Sequence, residues 1–207
     1  MNIFEIIGTI FGLLCVYLTV KQKVLSWPIG IISTVAFGIL FWQIKLYADM
    51  GEQVFYLVTG FYGWYLWKHG GEKKTELKVS LLKNYQRILS VLGIITASWL
   101  VGYLLKNYTD ASLPYLDATT TVMSFAAQIL LMKKKFENWI LWIIIDVMAL
   151  GIYAYKGVYL TTGLYALFLG LASSGCYSWW KAWIADKKIC YGKSEKRPCL
   201  GEIRPAA

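Results

Sequence analysis

Seven apolar stretches, at approximately residues 3–20, 25–44, 52–67, 88–105, 114–132, 138–154 and 159–180, follow one another with only short polar breaks. Most reach the roughly 17–25 residues that a helix needs to cross a bilayer. The stretch 52–67 is short and is expected to extend at one end. Hydrocarbon offers the backbone no partners, so runs at that depth must satisfy their own N–H and C=O groups as helices rather than as open sheet. The pattern predicts an all-α membrane protein with seven transmembrane helices.

The pattern also repeats at an offset of 112 residues. Trp27 falls on Trp139, Tyr47 on Tyr159, Gly63 on Gly175 and Trp67 on Trp179 without a gap, and upstream Thr9, Lys21 and Lys23 fall on Thr121, Lys133 and Lys135. Each copy holds three apolar stretches and one more joins them. An odd number of joining spans leaves both copies in the same orientation, so the expectation is two parallel three-helix repeats joined by a linker helix (3+1+3). The division is 1–70 for the first repeat, 71–113 for a cytoplasmic loop and the linker helix, 114–183 for the second repeat and 184–207 for a cytoplasmic tail. That tail is rich in Lys, Glu, Pro and Gly and is expected to be poorly ordered. Secondary transporters are commonly built from such repeats, with substrate near the bilayer midplane.

Composition agrees: 57% of the 207 residues are hydrophobic and only 16% charged, which excludes an ordinary soluble domain. There are ten Trp and 15 Tyr. Trp27, Trp67, Trp139 and Trp179 fall near span ends, where an interfacial aromatic belt would place them. The net charge of +9 does not imply nucleic acid, because of its distribution. Alternate loops place 18 of the 21 lysines and arginines on one side, leaving Lys45, Lys106 and Lys156 on the other. That asymmetry puts the N-terminus outside and the C-terminus in the cytoplasm. The loop 68–87 then reads as a solvated basic connector.

Residues 1–20 carry no basic n-region, so the first span is expected to be retained rather than cleaved. Cys15, Cys176, Cys190 and Cys199 fit no disulfide or metal framework and are expected to be free thiols. The single histidine, His69, lies in the basic loop, so no metal site or catalytic set built on histidines forms. No phosphate-binding Gly-x-x-x-x-Gly-Lys-Ser/Thr occurs. Neither a cofactor nor enzymatic activity is implied.

Polar groups at membrane depth are costly and point to function. Asp117, Thr121, Ser124 and Gln128 lie within about 60° of one helix face. Either they glue helices together at about 0.6 kcal/mol per contact, or they meet a ligand; the Gln128 amide, with two donors and an acceptor, suits a sugar hydroxyl or a carboxamide. In the sixth stretch Trp139, Trp142 and Asp146 share a face that Ala149 and Tyr153 continue. Asp146 sits mid-span with no basic residue at similar depth, and its repeat partner is Thr34. It is either a protonated helix-holding group or the counter-charge of a ligand. Tryptophan faces beside a carboxylate suit a flat cationic aromatic ligand. Gln53 and Tyr56 are further pocket candidates, whereas Gly60 and Gly63 are read as close-approach positions. Glu5, Asp49, Glu52 and Asp110 fall near outer span ends, where water makes them unremarkable.

Trp27-Pro28-x-Gly30, Leu46-Tyr47-Ala48-Asp49 and Gln53-x-Phe55-Tyr56-Leu57-Val58 resemble the PnuC vitamin transporters. So do Pro114-Tyr115-Leu116-Asp117-Ala118-x-Thr120-Thr121-x-x-Ser124-Phe125, Glu137-Asn138-Trp139-x-x-Trp142-x-x-x-Asp146 and Tyr153-Ala154-Tyr155-Lys156-Gly157 with Tyr159-Leu160-Thr161. The likeness covers about residues 4–183. It implies a fold of two three-helix bundles joined by one helix, akin to the SWEET sugar transporters. It also implies uptake of nicotinamide riboside across the bacterial inner membrane by facilitated diffusion, made one-way by a cytoplasmic kinase, in a homotrimer. Trp139 and Trp142 would line or stack, Asp146 would complement the pyridinium, and Gln53, Gln128, Tyr56, Thr121 and Ser124 would complete the pocket. Thiamine is served by the same logic and riboflavin is carried by other relatives; a membrane scaffold and an intramembrane enzyme are the readings outside this class.

Overall fold

The computed structural model describes residues 2–71, 74–109, 113–155, 157 and 159–192. Asp110, Lys156, Cys199 and the tail from 193 lie outside the described residues. Among the described residues seven helices follow in order: α1 (Ile3–Val20), α2 (Ser26–Gln43), α3 (Tyr47–His69), α4 (Asn84–Tyr108), α5 (Pro114–Met132), α6 (Asn138–Tyr155) and α7 (Tyr159–Gly192). The Asn2 side chain caps α1 by accepting from the Phe4 N–H at 3.1 Å, and Pro114 opens α5, where its missing N–H costs nothing. The 52–67 stretch extends at both ends rather than one. α7 runs to Gly192, so the first residues of the expected disordered tail continue the helix instead.

Among the described residues, α1, α2, α4 and α6 are long and apolar enough to cross a membrane. Helices α3 and α5 are more polar because they carry Glu52, Gln53 and Tyr56, and Asp117, Thr121, Ser124 and Gln128, respectively. The apolar surface of α4, including Ile88, Leu92, Ile95 and Trp99, is exposed, as a lipid-facing helix requires. In sequence, α1, α2 and α3 pack as neighbours, as do α5, α6 and α7, and α4 leans on α5. Two further contacts tie these groups together, α1 to α7 and α3 to α5.

Those ties are built from tryptophan, and here the expected belt is overturned. Trp67 and Trp179 are wholly inaccessible, and Trp27 and Trp139 nearly so. Trp27 meets Trp67 edge-on at 5.5 Å and 84°, Trp139 meets Trp179 at 5.5 Å and 85°, and Trp67 lies 5.7 Å from Trp179. The Trp67 indole N–H donates to the Leu131 carbonyl at 3.1 Å, and that of Trp179 to the Thr19 carbonyl at 3.0 Å. These partners are again 112 residues apart. The rings fit because Gly63 and Gly175 lack side chains: a Cβ at 63 would lie 2.3 Å from the Trp27 ring, and one at 175 would lie 2.5 Å from Trp139. The offset recurs in backbone geometry. Gln22 and Lys134 take φ of 56° and 51°, and Lys45 and Gly157 take 60° and 71°.

The loop after α3 is not a solvated connector. Leu77 and Val79 pack into the tryptophan cluster. Ser80 pairs with the α5–α6 turn, donating its N–H to the Lys134 carbonyl at 3.2 Å and accepting from the Phe136 N–H at 3.0 Å. Glu137 Oε1 accepts from the Leu82 N–H at 3.0 Å and from Arg87 Nε at 2.9 Å. The segment is a strap across the second α-hairpin.

Candidate functional site

A cavity of about 420 Å³ lies among α1, α2 and α3 on one side and α5, α6 and α7 on the other, with no lining residue from α4. That volume is within the usual range for a small-molecule site. Its end at the α1–α2 and α5–α6 turns is closed by the tryptophan cluster through Trp27 and Trp139.

Seven of the eight sequence-predicted site residues line it: Gln53, Tyr56, Ser124, Gln128, Trp139, Trp142 and Asp146. Their convergence follows from helix periodicity. Gln53, Tyr56 and Gly60 share a face of α3, Ser124 and Gln128 are one turn apart on α5, and Trp139, Trp142 and Asp146 climb α6. Thr121 stands behind the wall, its hydroxyl donating to Glu52 Oε1 at 2.9 Å. Asp117, at the head of the predicted stripe, is exposed.

Trp142 is half-buried, with its repeat counterpart Gly30 also on the wall. Trp139 is only 2% exposed and serves as the floor. Asp146 is 5% exposed, and among the described residues no hydrogen bond or ion pair holds its carboxylate. Gln128 Nε2 reaches Thr59 Oγ1 at 3.4 Å, and that hydroxyl in turn donates to the Phe55 carbonyl at 2.8 Å, which leaves the Gln128 amide oxygen for the cavity. Ser124 and Tyr56 both line the wall. Tyr165, on the wall beside Phe168, stacks on Tyr153 at 5.3 Å and 15°.

The structure adds Glu52, Thr34, Tyr165 and Phe168 to the predicted set. Glu52, expected at a watered outer span end, is instead half-buried on the wall, in one stripe of α3 with Asp49, Gln53, Tyr56 and Gly60. Many wall positions come in pairs 112 apart whose chemistry differs, such as Gly12 with Ser124, Val16 with Gln128, Gly30 with Trp142 and Thr34 with Asp146. Glu52 and Gln53 stand on the α3 side and Gln128 and Asp146 on the α5 and α6 side of a cavity whose outline is shared. Among the described residues neither a lysine nor an arginine lines it. Among the described residues no cluster of His, Cys, Asp and Glu could hold a metal, and Cys15 and Cys176 are free thiols.

Outside the spans, burial acts on the α5–α6 turn. Lys134 lies with Nζ 4.5 Å from the Trp67 ring. Desolvation pushes its ammonium down to about 8, opposed by the Glu76 carboxylate. Burial also lowers Lys135, whose Nζ donates to Ser80 Oγ at 2.9 Å.

A largely apolar cavity with a few convergent polar groups, set among membrane-length helices and tied across its base, has the form of a small-molecule site in a multi-pass membrane protein. The chain belongs to the family described as Nicotinamide mononucleotide transporter, which it matches over residues 2–181. It is 32% identical over 201 residues, 84% of each chain, to the Nicotinamide riboside transporter PnuC of Escherichia coli (strain K12). It is 25% identical over 180 residues, 85% of this chain and 84% of the relative, to the Riboflavin/roseoflavin transporter RibM of Streptomyces davaonensis. A solved structure, described as the crystal structure of the Vitamin B3 transporter PnuC, superposes with a TM-score of 0.68 at 25% identity, covering 85% of this chain and 80% of that one.

Proposed function

We propose that this chain carries nicotinamide riboside across the bacterial inner membrane by facilitated diffusion, holding the nucleoside between two parallel three-helix repeats, 1–70 and 114–183, joined by α4. The observation that carries the reading is the wall chemistry: among the described residues Glu52 and Asp146 line it with no basic residue, in a chain of net charge +9. A flat pyridinium cation complements that wall. Asp146 offsets its charge and the Trp142 face attracts it, by up to about 2 kcal/mol once water is excluded. Gln53, Gln128, Tyr56 and Ser124 offer donors and acceptors to the ribose and the carboxamide. A phosphomonoester, carrying about −1.5 to −2 charge at pH 7, would meet two carboxylates and no basic partner. The riboside therefore fits where the mononucleotide does not.

The reciprocal bonds of Trp67 and Trp179, the paired left-handed residues and the paired glycine slots support the repeat architecture. Exchange between access states is then a rocking of one bundle against the other about the tryptophan cluster. The basic loops orient the N-terminus outside and the C-terminus in the cytoplasm. Family likeness adds a homotrimer and trapping of the imported nucleoside by cytoplasmic phosphorylation.

Counterflow of labelled nicotinamide riboside into proteoliposomes, without proton or sodium gradients, tests this. Saturable exchange, competed by unlabelled riboside and not by the mononucleotide, is expected. Exchange that requires a gradient would overturn facilitated diffusion, and competition by thiamine with indifference to the riboside would reassign the substrate.

A further inference from the structure

Helix rise places the two wall carboxylates at different depths. Trp67 and Trp139 share the level of the tryptophan cluster through their common neighbour Trp179. Asp146 stands seven residues beyond Trp139 on α6 and Glu52 stands fifteen residues before Trp67 on α3. At about 1.5 Å per residue these are about 10 Å and 22 Å from the cluster, so Glu52 lies about 12 Å nearer the outer mouth in the orientation proposed above.

Glu52 has no counterpart on the wall. Its repeat partner, Leu164, is not among the lining residues. It is half-buried, and the Thr121 hydroxyl fixes its carboxylate from α5. Asp49, one turn further out, adds negative charge beside it. Below it the cavity leads to Asp146, a deeply buried carboxylate with no hydrogen-bond or ion-pair partner among the described residues. An unpartnered carboxylate at the end of a passage lined by a second one describes a route for a cation, not a pair of structural acids.

We propose that Glu52 is an outer cation-selecting station of this cavity, which draws a cationic substrate in and passes it to Asp146. The inference rests on the reading of the cavity as the site of a cationic nucleoside. A carboxylate at a low-dielectric mouth raises the local concentration of cations and speeds their capture, and salt weakens that effect. Neutral and anionic compounds gain nothing from it.

The test uses the full chain in proteoliposomes and the variants Glu52→Gln, Thr121→Val and Asp146→Asn. Glutamine keeps the acceptor that Thr121 needs and removes only the charge. With Glu52→Gln, the KM for inward uptake of nicotinamide riboside at low salt rises about fivefold, and its salt dependence shrinks. Uptake of the reduced, uncharged dihydronicotinamide riboside does not change. Thr121→Val keeps the charge and moves KM by less. Saturable quenching of tryptophan fluorescence by the riboside persists in Glu52→Gln, which reports a folded protein with an intact inner site. An unchanged salt dependence, or equal losses for charged and reduced riboside, would overturn the role of Glu52. If Asp146→Asn bound the riboside as wild type does, the reading of the site would fall; if Asp146→Asn lost binding while Glu52→Gln behaved as wild type, only the outer station would.

Discussion

Replacing Trp67 or Trp179 with phenylalanine removes one of the two indole N–H bonds that tie α3 to α5 and α7 to α1. Each acceptor carbonyl keeps a second donor: Thr19 O also accepts from the Gln22 N–H at 2.9 Å, and Leu131 O from the Lys134 N–H at 2.9 Å. No buried carbonyl is therefore left bare, and the hydrogen-bond loss is about 1 kcal/mol. The smaller ring leaves three heavy atoms of space in a fully buried site, which adds about 2 kcal/mol. A total near 3 kcal/mol corresponds to a fall in Tm of about 6–12 °C for a chain of this size. Thermal unfolding of the detergent-purified protein, followed by near-UV circular dichroism, reads it. The two variants should agree within a few degrees, because their environments are related by the same offset; Trp67→Phe falls slightly further, since Lys134 Nζ also rests on that ring. The double variant loses less than the sum, since the two rings touch. Trp99→Phe, on the exposed face of α4, is the control and should move Tm by less than about 2 °C. Shifts of that small size for both buried tryptophans would refute the claim that the cluster holds the halves together.

Gly63→Ala and Gly175→Ala each drive a methyl group into the ring of Trp27 or Trp139, and should cost about 1–3 kcal/mol by overpacking, read as a lower Tm with slower uptake. Glu137→Gln weakens the acceptor shared by Leu82 and Arg87, so the strap 74–83 should become sensitive to limited proteolysis while the helices stay resistant. Lys134 gives a pH dependence whose sign follows from its depressed value of about 8. Between about pH 8 and the unfolded value near 10.4 the unfolded chain binds a proton that the folded chain has released, so stability rises with pH in that window and the penalty of burying the ammonium is fully present below it. Lys134→Met should flatten that rise in the Tm-against-pH curve, leaving the smaller slope of the same sign that Lys135 contributes, and an identical slope in both proteins would contradict it.

Helix positions were legible because hydrocarbon-length apolar runs leave few other structures open, and α1 and α5 fall where the pattern placed them. The tryptophans were misplaced because a Trp near a span end suits an interface and a packed core equally well by composition. The distinguishing signal was a glycine 36 residues downstream of Trp27 and again of Trp139, the slot each ring fills. The strap was hidden by its charges, although Leu77, Val79 and Leu81 alternate with polar residues as one-sided extended chain does. Gln53, Gln128 and Asp146 stood out because polarity at depth is rare. Glu52 did not, because its depth depends on α3 beginning at Tyr47, well before the apolar run that marks it.

The most direct test of the account is the binding of nicotinamide riboside to the purified chain and to its Trp142→Ala and Asp146→Asn variants, measured by isothermal titration calorimetry. The account predicts saturable binding to the wild type, a loss of tenfold or more in each variant (about 1.4 kcal/mol), and none for nicotinamide mononucleotide. Wild-type affinity in both variants, or tight binding of the mononucleotide, would contradict the assignment of this cavity to a cationic nucleoside.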